Sequence, residues 1–220
     1  MIEALVQYYS QIFYALGQTF LMVLISTTFS IMIGVPLGII LSVTKRDGYV
    51  PNSSLFWIVT IIVNIIRSVP FILLMIILIP VSHFLFGTGF GMIASIFSLS
   101  IIGLSIMARL SENAFISADA ELYCLGTSLN FGLIKTFYKI ILPEIMPALI
   151  LSITNLVITL IAYSMIVGII NGGGIGTIVI NQLTGAWNWS LLWLVVIVMI
   201  IVISLIQIIG TVLARLVNKA

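Results

Sequence analysis

The chain has 220 residues, of which 8 are Lys or Arg, 6 are Asp or Glu and one is His, so 6% of it is charged while 62% is hydrophobic. Soluble domains carry about 25% charged residues, and a mean hydropathy of +1.35 leaves more apolar surface than a core of this size can bury. A water-soluble globule is excluded, lipid is required as part of the solvent, and a net charge of +2 without a run of Lys or Arg gives no track for a nucleic acid.

A spanning helix needs about 20 residues. No charge lies between Glu3 and Lys45, and a first span is expected over residues 18–43 despite Gly34 and Pro36. A cleavable signal is the competing reading, but the start has an acid and no basic residue, and the apolar stretch exceeds a signal's short hydrophobic region. Lys45, Arg46, Asp47, Gly48 and Pro51 form a polar turn. A second span is expected over 55–81, interrupted by Asn64, Arg67 and Ser68. Ser82, His83 and three glycines separate it from a third span over 90–108, which Arg109 closes.

Residues 109–144 hold seven of the fourteen charged residues. A structureless connection of that length is uncommon, so this segment is expected to be helical. Leu122, Leu125, Leu129, Leu133, Phe137 and Ile140 recur at steps of three and four and fall on one side, while Gly126 and Gly132 favour two short helices. Such a stripe suits lipid, the bundle or a partner's groove equally well. Residues 145–214 are uncharged and divide at the glycine-rich 171–190 into a fourth span over 145–170 and a fifth over 191–213. Asn155, Thr159, Tyr163 and Ser164 give the fourth a partly polar face, which suits either a solute path or helix packing.

Lys45, Arg46, Arg109, Lys135, Lys139, Arg215 and Lys219 occupy alternate connections. Lys and Arg are retained on the cytoplasmic side, which puts the 109–144 segment and the C-terminus inside and the N-terminus outside. Trp187 and Trp189 then sit at the outer interface. Arg67 lies within an apolar stretch, where a cation must face protein or water, or snorkel to the boundary. The Asn171 to Gly176 cluster lacks the Lys-Ser/Thr pair of a phosphate cradle and is expected to be a flexible turn or re-entrant piece. Cys124 is alone, so no intrachain disulfide or cysteine metal cluster can form. His83 has no neighbouring carboxylate in sequence and suggests neither a metal site nor catalysis. The expected fold is an all-α membrane bundle of five spans with a cytoplasmic helical segment, and no chemistry of its own.

Arg109-Leu110-Ser111-Glu112-Asn113-Ala114 followed by Ile141-Leu142-Pro143-Glu144 resembles the coupling region of binding-protein-dependent ABC importer permeases. Asn64-Ile65-Ile66-Arg67-Ser68-Val69-Pro70-Phe71-Ile72 is similar to the family's second-span signature, and Gly172-Gly173-Gly174-Ile175-Gly176 to its late glycine cluster. Within the family the resemblance is strongest to the methionine permease subunits, and it runs over nearly the whole chain. It implies a homodimer of permease subunits, two cytoplasmic ATPase subunits that bind ATP and Mg, and an extracytoplasmic lipoprotein delivering D- or L-methionine. No cofactor is implied in this chain. The resemblance places ATPase coupling on Arg109, Glu112, Asn113, Leu125, Gly126, Asn130, Leu142, Pro143 and Glu144, and the apolar stripe adds Leu129, Leu133 and Phe137 as docking candidates. Solute-path candidates are Arg67, Ser68, Asn155, Tyr163 and Ser164.

The family's coupling motif reads Glu-Ala-Ala, three residues, then Gly, with Leu-Pro beyond. An ungapped match to Leu142-Pro143 puts Cys124-Leu125-Gly126 at the first positions and Asn130 at the glycine, whose left-handed backbone Asn tolerates. The missing carboxylate keeps a decayed permease with impaired coupling as an alternative. Another is a stand-alone secondary transporter or channel, which would want acids at membrane depth where this chain has none. An intramembrane enzyme would need a nucleophile, paired acids or a metal site that the sequence does not offer.

Overall fold

A computed structural model describes residues 2–117, 128–129, 131–185 and 187–218. Its regular structure is helical. The elements are α1 (Ile2–Thr44), α2 (Ser53–Ser68), α3 (Phe71–Phe86), α4 (Gly91–Ile116), a short α5 (Leu133–Thr136), α6 (Leu142–Ile166), α7 (Gly174–Thr184) and α8 (Trp189–Val217). A π turn, Phe137–Ile141, joins α5 to α6, and a 3-10 turn, Val167–Ile170, follows α6. In a medium without water every backbone N–H and C=O must be satisfied within its own segment, which helices achieve.

Among the described residues, four helical stretches are long and apolar enough to cross a membrane, and the bent pair α2 and α3 makes a fifth if taken as one span. The second apolar stretch, expected to run through 55–81, is therefore two helices whose axes differ by 106°. Pro70 causes the break: it disfavours the helical region for its predecessor, and Val69 is extended at φ −81° and ψ 124°. Asn52 starts α2 by accepting a hydrogen bond from Leu55 N at 3.1 Å. The third apolar helix does not stop at Arg109 but continues two turns further to Ile116. A charge ends a stretch that lipid can cover, yet Arg and Glu are good helix formers, and no Gly or Pro intervenes.

The bundle is organised on α1 and α4. Ser26, Ser30, Gly34 and Gly38 recur every fourth residue of α1 and form one seam. A Cβ on Gly34 would lie 2.7 Å from Met107 Cβ, and one on Gly38 would lie 2.5 Å from Ser111 Cβ and 2.7 Å from the Ala108 carbonyl oxygen. Gly103 answers from α4, facing Ser30, and the Ser26 hydroxyl donates to the Ile96 carbonyl at 3.2 Å. Small residues let helices approach this closely where lipid tails remove the hydrophobic drive between them. Beside the main core, Val59 and Val63 of α2 pack with Leu41 and Ala108, which sets α2 against the Thr44 half of α1.

The 171–176 region is a packed turn rather than a flexible one. Asn171 is left-handed at φ 54°, and Gly173 and Gly174 have φ of 83° and 72°. Gly168 and Gly176 each abut the opposing backbone, so neither has room for a Cβ. The first amides of α7 are capped from α1: Gly174 N donates to Gln18 Oε1 at 2.8 Å, and Ile175 N to Thr19 Oγ1 at 3.0 Å. These side chains occupy the amides a phosphate would need. Removing both acceptors in Gln18→Leu with Thr19→Val is expected to cost about 2 kcal/mol, roughly 1 for each lost cap. A lowered midpoint in thermal unfolding of the detergent-solubilised protein checks this.

Candidate functional site

The charged end of α4 carries one polar cluster. Arg109 Nη1 pairs with Glu112 Oε2 at 2.5 Å, and Arg109 Nη2 donates to Asn64 Oδ1 of α2 at 2.7 Å. Glu112 is only 6% exposed, so the guanidinium supplies the positive partner a buried carboxylate requires. The bond to Asn64 joins two sequence segments that look separate, and it ties α2 to α4. Asn113 is exposed on the same helix end.

One turn further, Phe115 of α4 meets Phe137 of the π turn, with ring centroids 5.5 Å apart, and Phe137 is edge-on to Tyr138 at 5.3 Å. Together with Ala114, Ile141, Ile145 and Leu149 this is a small core of its own. Phe137 therefore packs onto the bundle, one of the three uses that the sequence stripe left open. The π turn precedes Pro143, which has no N–H to offer the Lys139 carbonyl, and within the turn Leu142 N donates to Phe137 O, five residues back. Leu142, Pro143 and Glu144 line an open cavity of ≈ 610 Å³ with Tyr138, Val217 and Asn218.

Of the remaining coupling candidates, Leu129 is exposed at 51%. Leu125, Gly126, Asn130 and the side chain of Leu133 lie outside the described residues, as do Leu122 and Cys124. Lys135 sits 4.8 Å from the centroid of the Phe131 ring, a cation-π contact.

The solute-path candidates divide. Asn155 is exposed and Thr159 half-buried, with the Thr159 hydroxyl donating to the Asn155 carbonyl at 2.7 Å. Tyr163 stacks on Phe71 at 4.7 Å, just beyond the α2/α3 break. Ser164 is buried and donates to the Ile161 carbonyl at 2.6 Å. It does not share the Asn155 face, because nine residues at 100° each turn it to the opposite side. Arg67 and Ser68 are exposed on the last turn of α2, and the Ser68 hydroxyl donates to the Asn64 carbonyl at 2.8 Å. Among the described residues no three His, Cys, Asp or Glu side chains gather to hold a metal. Sequence reasoning missed the pairing of Asn64 with Arg109, since nothing local links residues 45 positions apart.

Residues 34–220 match the family model described as "binding-protein-dependent transport system inner membrane component". The chain is 34% identical over 204 residues to a probable D-methionine transport system permease protein MetI of Vibrio cholerae, covering 93% of this chain and 91% of that protein. It is also 34% identical over 151 residues to the D-methionine transport system permease protein MetI of Escherichia coli K12, covering 69% of this chain and 70% of the relative. Among solved structures, an inward-facing conformation of the MetNI methionine ABC transporter superposes with a TM-score of 0.90 at 31% identity, over 93% of this chain and 94% of that one. An amino acid ABC transporter superposes with a TM-score of 0.78 at 14% identity over 96% of both chains, which speaks for the fold alone.

Proposed function

Because the chain belongs to the family of binding-protein-dependent transport system inner membrane components, we propose that it is the permease subunit of an ATP-driven importer of methionine. It is a transport component. Two copies form the passage, two cytoplasmic ATPase chains bind ATP and Mg, and an extracytoplasmic lipoprotein delivers D- or L-methionine. The charged end of the bundle, with Arg109, Glu144 and the C-terminus, lies in the cytoplasm, and the N-terminus lies outside.

The observation that carries this reading is the continuity of the charged end with the spans. Force applied around Leu129 and the π turn reaches α4 through Phe137 against Phe115, reaches α2 through Arg109 and Asn64, and reaches α1 through the glycine seam. Nucleotide binding in the partner then favours one of two packings of the paired bundles, which is the free-energy coupling an alternating-access device needs.

The test is reconstitution with candidate ATPase chains in vesicles, measuring methionine uptake and ATP turnover. Leu129→Asp places a charge on an exposed side chain, so it is expected to weaken ATPase association at least tenfold, about 1.4 kcal/mol, while the permease stays folded. Phe137→Asp is expected to destabilise the permease itself, because its ring lies against Phe115. ATPase binding unaffected by Leu129→Asp removes that residue from the docking surface. Uptake without any ATPase identifies a secondary transporter instead.

A further inference from the structure

Gly210 of α8 faces Thr154 of α6: a Cβ on Gly210 would lie 2.5 Å from Thr154 Cγ2 and 2.8 Å from its Cβ. These residues mark the seam between two antiparallel helices, since the start of α6 and the end of α8 line the same cavity. A helix turns about 100° per residue. From the seam, Asn155 and Thr159 are rotated by about 100° and 140°, and Thr211, Gln207 and Ser204 by about 100°, 60° and 120°. In antiparallel helices equal rotation leads to the same side, so all five lie on one face. The same arithmetic turns Glu144 and Asn218 to that side by about 80°, and the two do line the ≈ 610 Å³ cavity together. Polar side chains are thus spaced along one side of both helices, with apolar residues such as Leu151 and Ile200 among them, and that side ends at the cavity.

Asn155, Ser204 and Gln207 are exposed, and Thr159 and Thr211 half-exposed. The threonine hydroxyls donate to carbonyls one turn back, Thr211 to Gln207 at 2.8 Å and Thr159 to Asn155 at 2.7 Å. Within the described residues the side-chain amides of Asn155 and Gln207 have no hydrogen-bond partner. Two free amides on otherwise apolar helices are costly against lipid and need water or another polar group.

We infer that this α6/α8 face is a wall of the solute passage, with Asn155 and Gln207 as contact groups for a small zwitterion. The inference rests on the permease reading and names residues for it. A primary amide donates to a carboxylate and accepts from an ammonium, yet carries no net charge. The wall can therefore replace part of the solute's hydration without holding it tightly, as passage requires. The cavity at its charged end is the exit.

The test uses the complete complex with its ATPase partner in proteoliposomes, in a Cys124→Ser background. Single Asn155→Cys and Gln207→Cys variants are treated with a charged, membrane-impermeant methanethiosulfonate. Ile209→Cys, also exposed in the single chain but rotated to the other side of the seam, is the control. The expected result is labelling of the first two at least tenfold faster than the control. Labelling as slow as the control places the face against lipid or a second copy and overturns the inference. Gln207→Leu is expected to assemble normally and to lose about tenfold in methionine uptake, the net worth of one hydrogen bond; unchanged uptake also counts against the wall. If the Cys124→Ser parent imports methionine while both thiols stay unreactive, only the wall is wrong. If the unsubstituted chain, with Cys124 intact, neither binds an ATPase nor imports methionine, the permease reading itself has failed.

Discussion

Gly38→Leu is expected to leave almost no folded protein in the membrane, while Gly17→Ala, on the same helix, should leave slightly more than the parent. Both substitutions replace glycine with a better helix former, and propensity alone predicts a gain of about 1 kcal/mol for each. Packing decides the sign. At Gly17 nothing lies within 4 Å of an added Cβ, so the gain should survive. At Gly38 even the Cβ would meet the Ala108 carbonyl oxygen at 2.7 Å and the Glu112 amide nitrogen at 2.9 Å. Those are backbone atoms of α4 and cannot rotate away. Gly38→Ala therefore forces the helices apart and should cost about 1–3 kcal/mol, the usual penalty of overpacking. Leucine adds three further carbons in the same place, which separates α1 from α4 over the whole seam. Fluorescence-detected size exclusion of tagged variants would measure the folded fraction. A Gly38→Leu variant that elutes like the parent would show that the seam is not close-packed.

The sequence exposed the spans because lipid imposes a simple demand: long stretches without charge. It set the end of the third span at Arg109 by charge, while the helix itself runs on to Ile116, since lipid limits where a span stops and only backbone chemistry limits where a helix stops. The interruption of the second span was read from Asn64, Arg67 and Ser68, whereas Pro70 makes the break, and the direction of the bend depends on what α3 packs against. The period-four run of Ser26, Ser30, Gly34 and Gly38 was present in the chain, yet nothing in it names α4 as the partner. Helical arithmetic alone would have separated Asn155 from Ser164. Gln207 was passed over for a different reason: one amide in an apolar helix has no meaning until the neighbouring helix is known to turn Asn155 to the same side.

Arg109→Met is expected to destabilise the bundle by about 3–5 kcal/mol, the cost of leaving a buried carboxylate without its partner. Methionine preserves the aliphatic stem, so the loss is electrostatic and not a matter of volume. The discriminating variant is the double substitution Arg109→Met with Glu112→Leu. It removes the stranded charge together with its partner and should recover most of the lost stability, since apolar replacement of a whole buried pair is often neutral. Thermal melts of the parent, both single variants and the double variant close the cycle. Equal losses in Arg109→Met and the double variant would show that Glu112 carries no penalty when unpaired. Function should not recover with stability. The double variant still lacks the bond from Arg109 to Asn64, so α2 and the α2/α3 break are no longer tied to the end of α4 that the ATPase is proposed to push. Methionine moved per ATP hydrolysed is therefore expected to fall in a protein that folds normally, and Arg109→Lys should share the defect, because a single ammonium cannot span Glu112 and Asn64 as the guanidinium fork does.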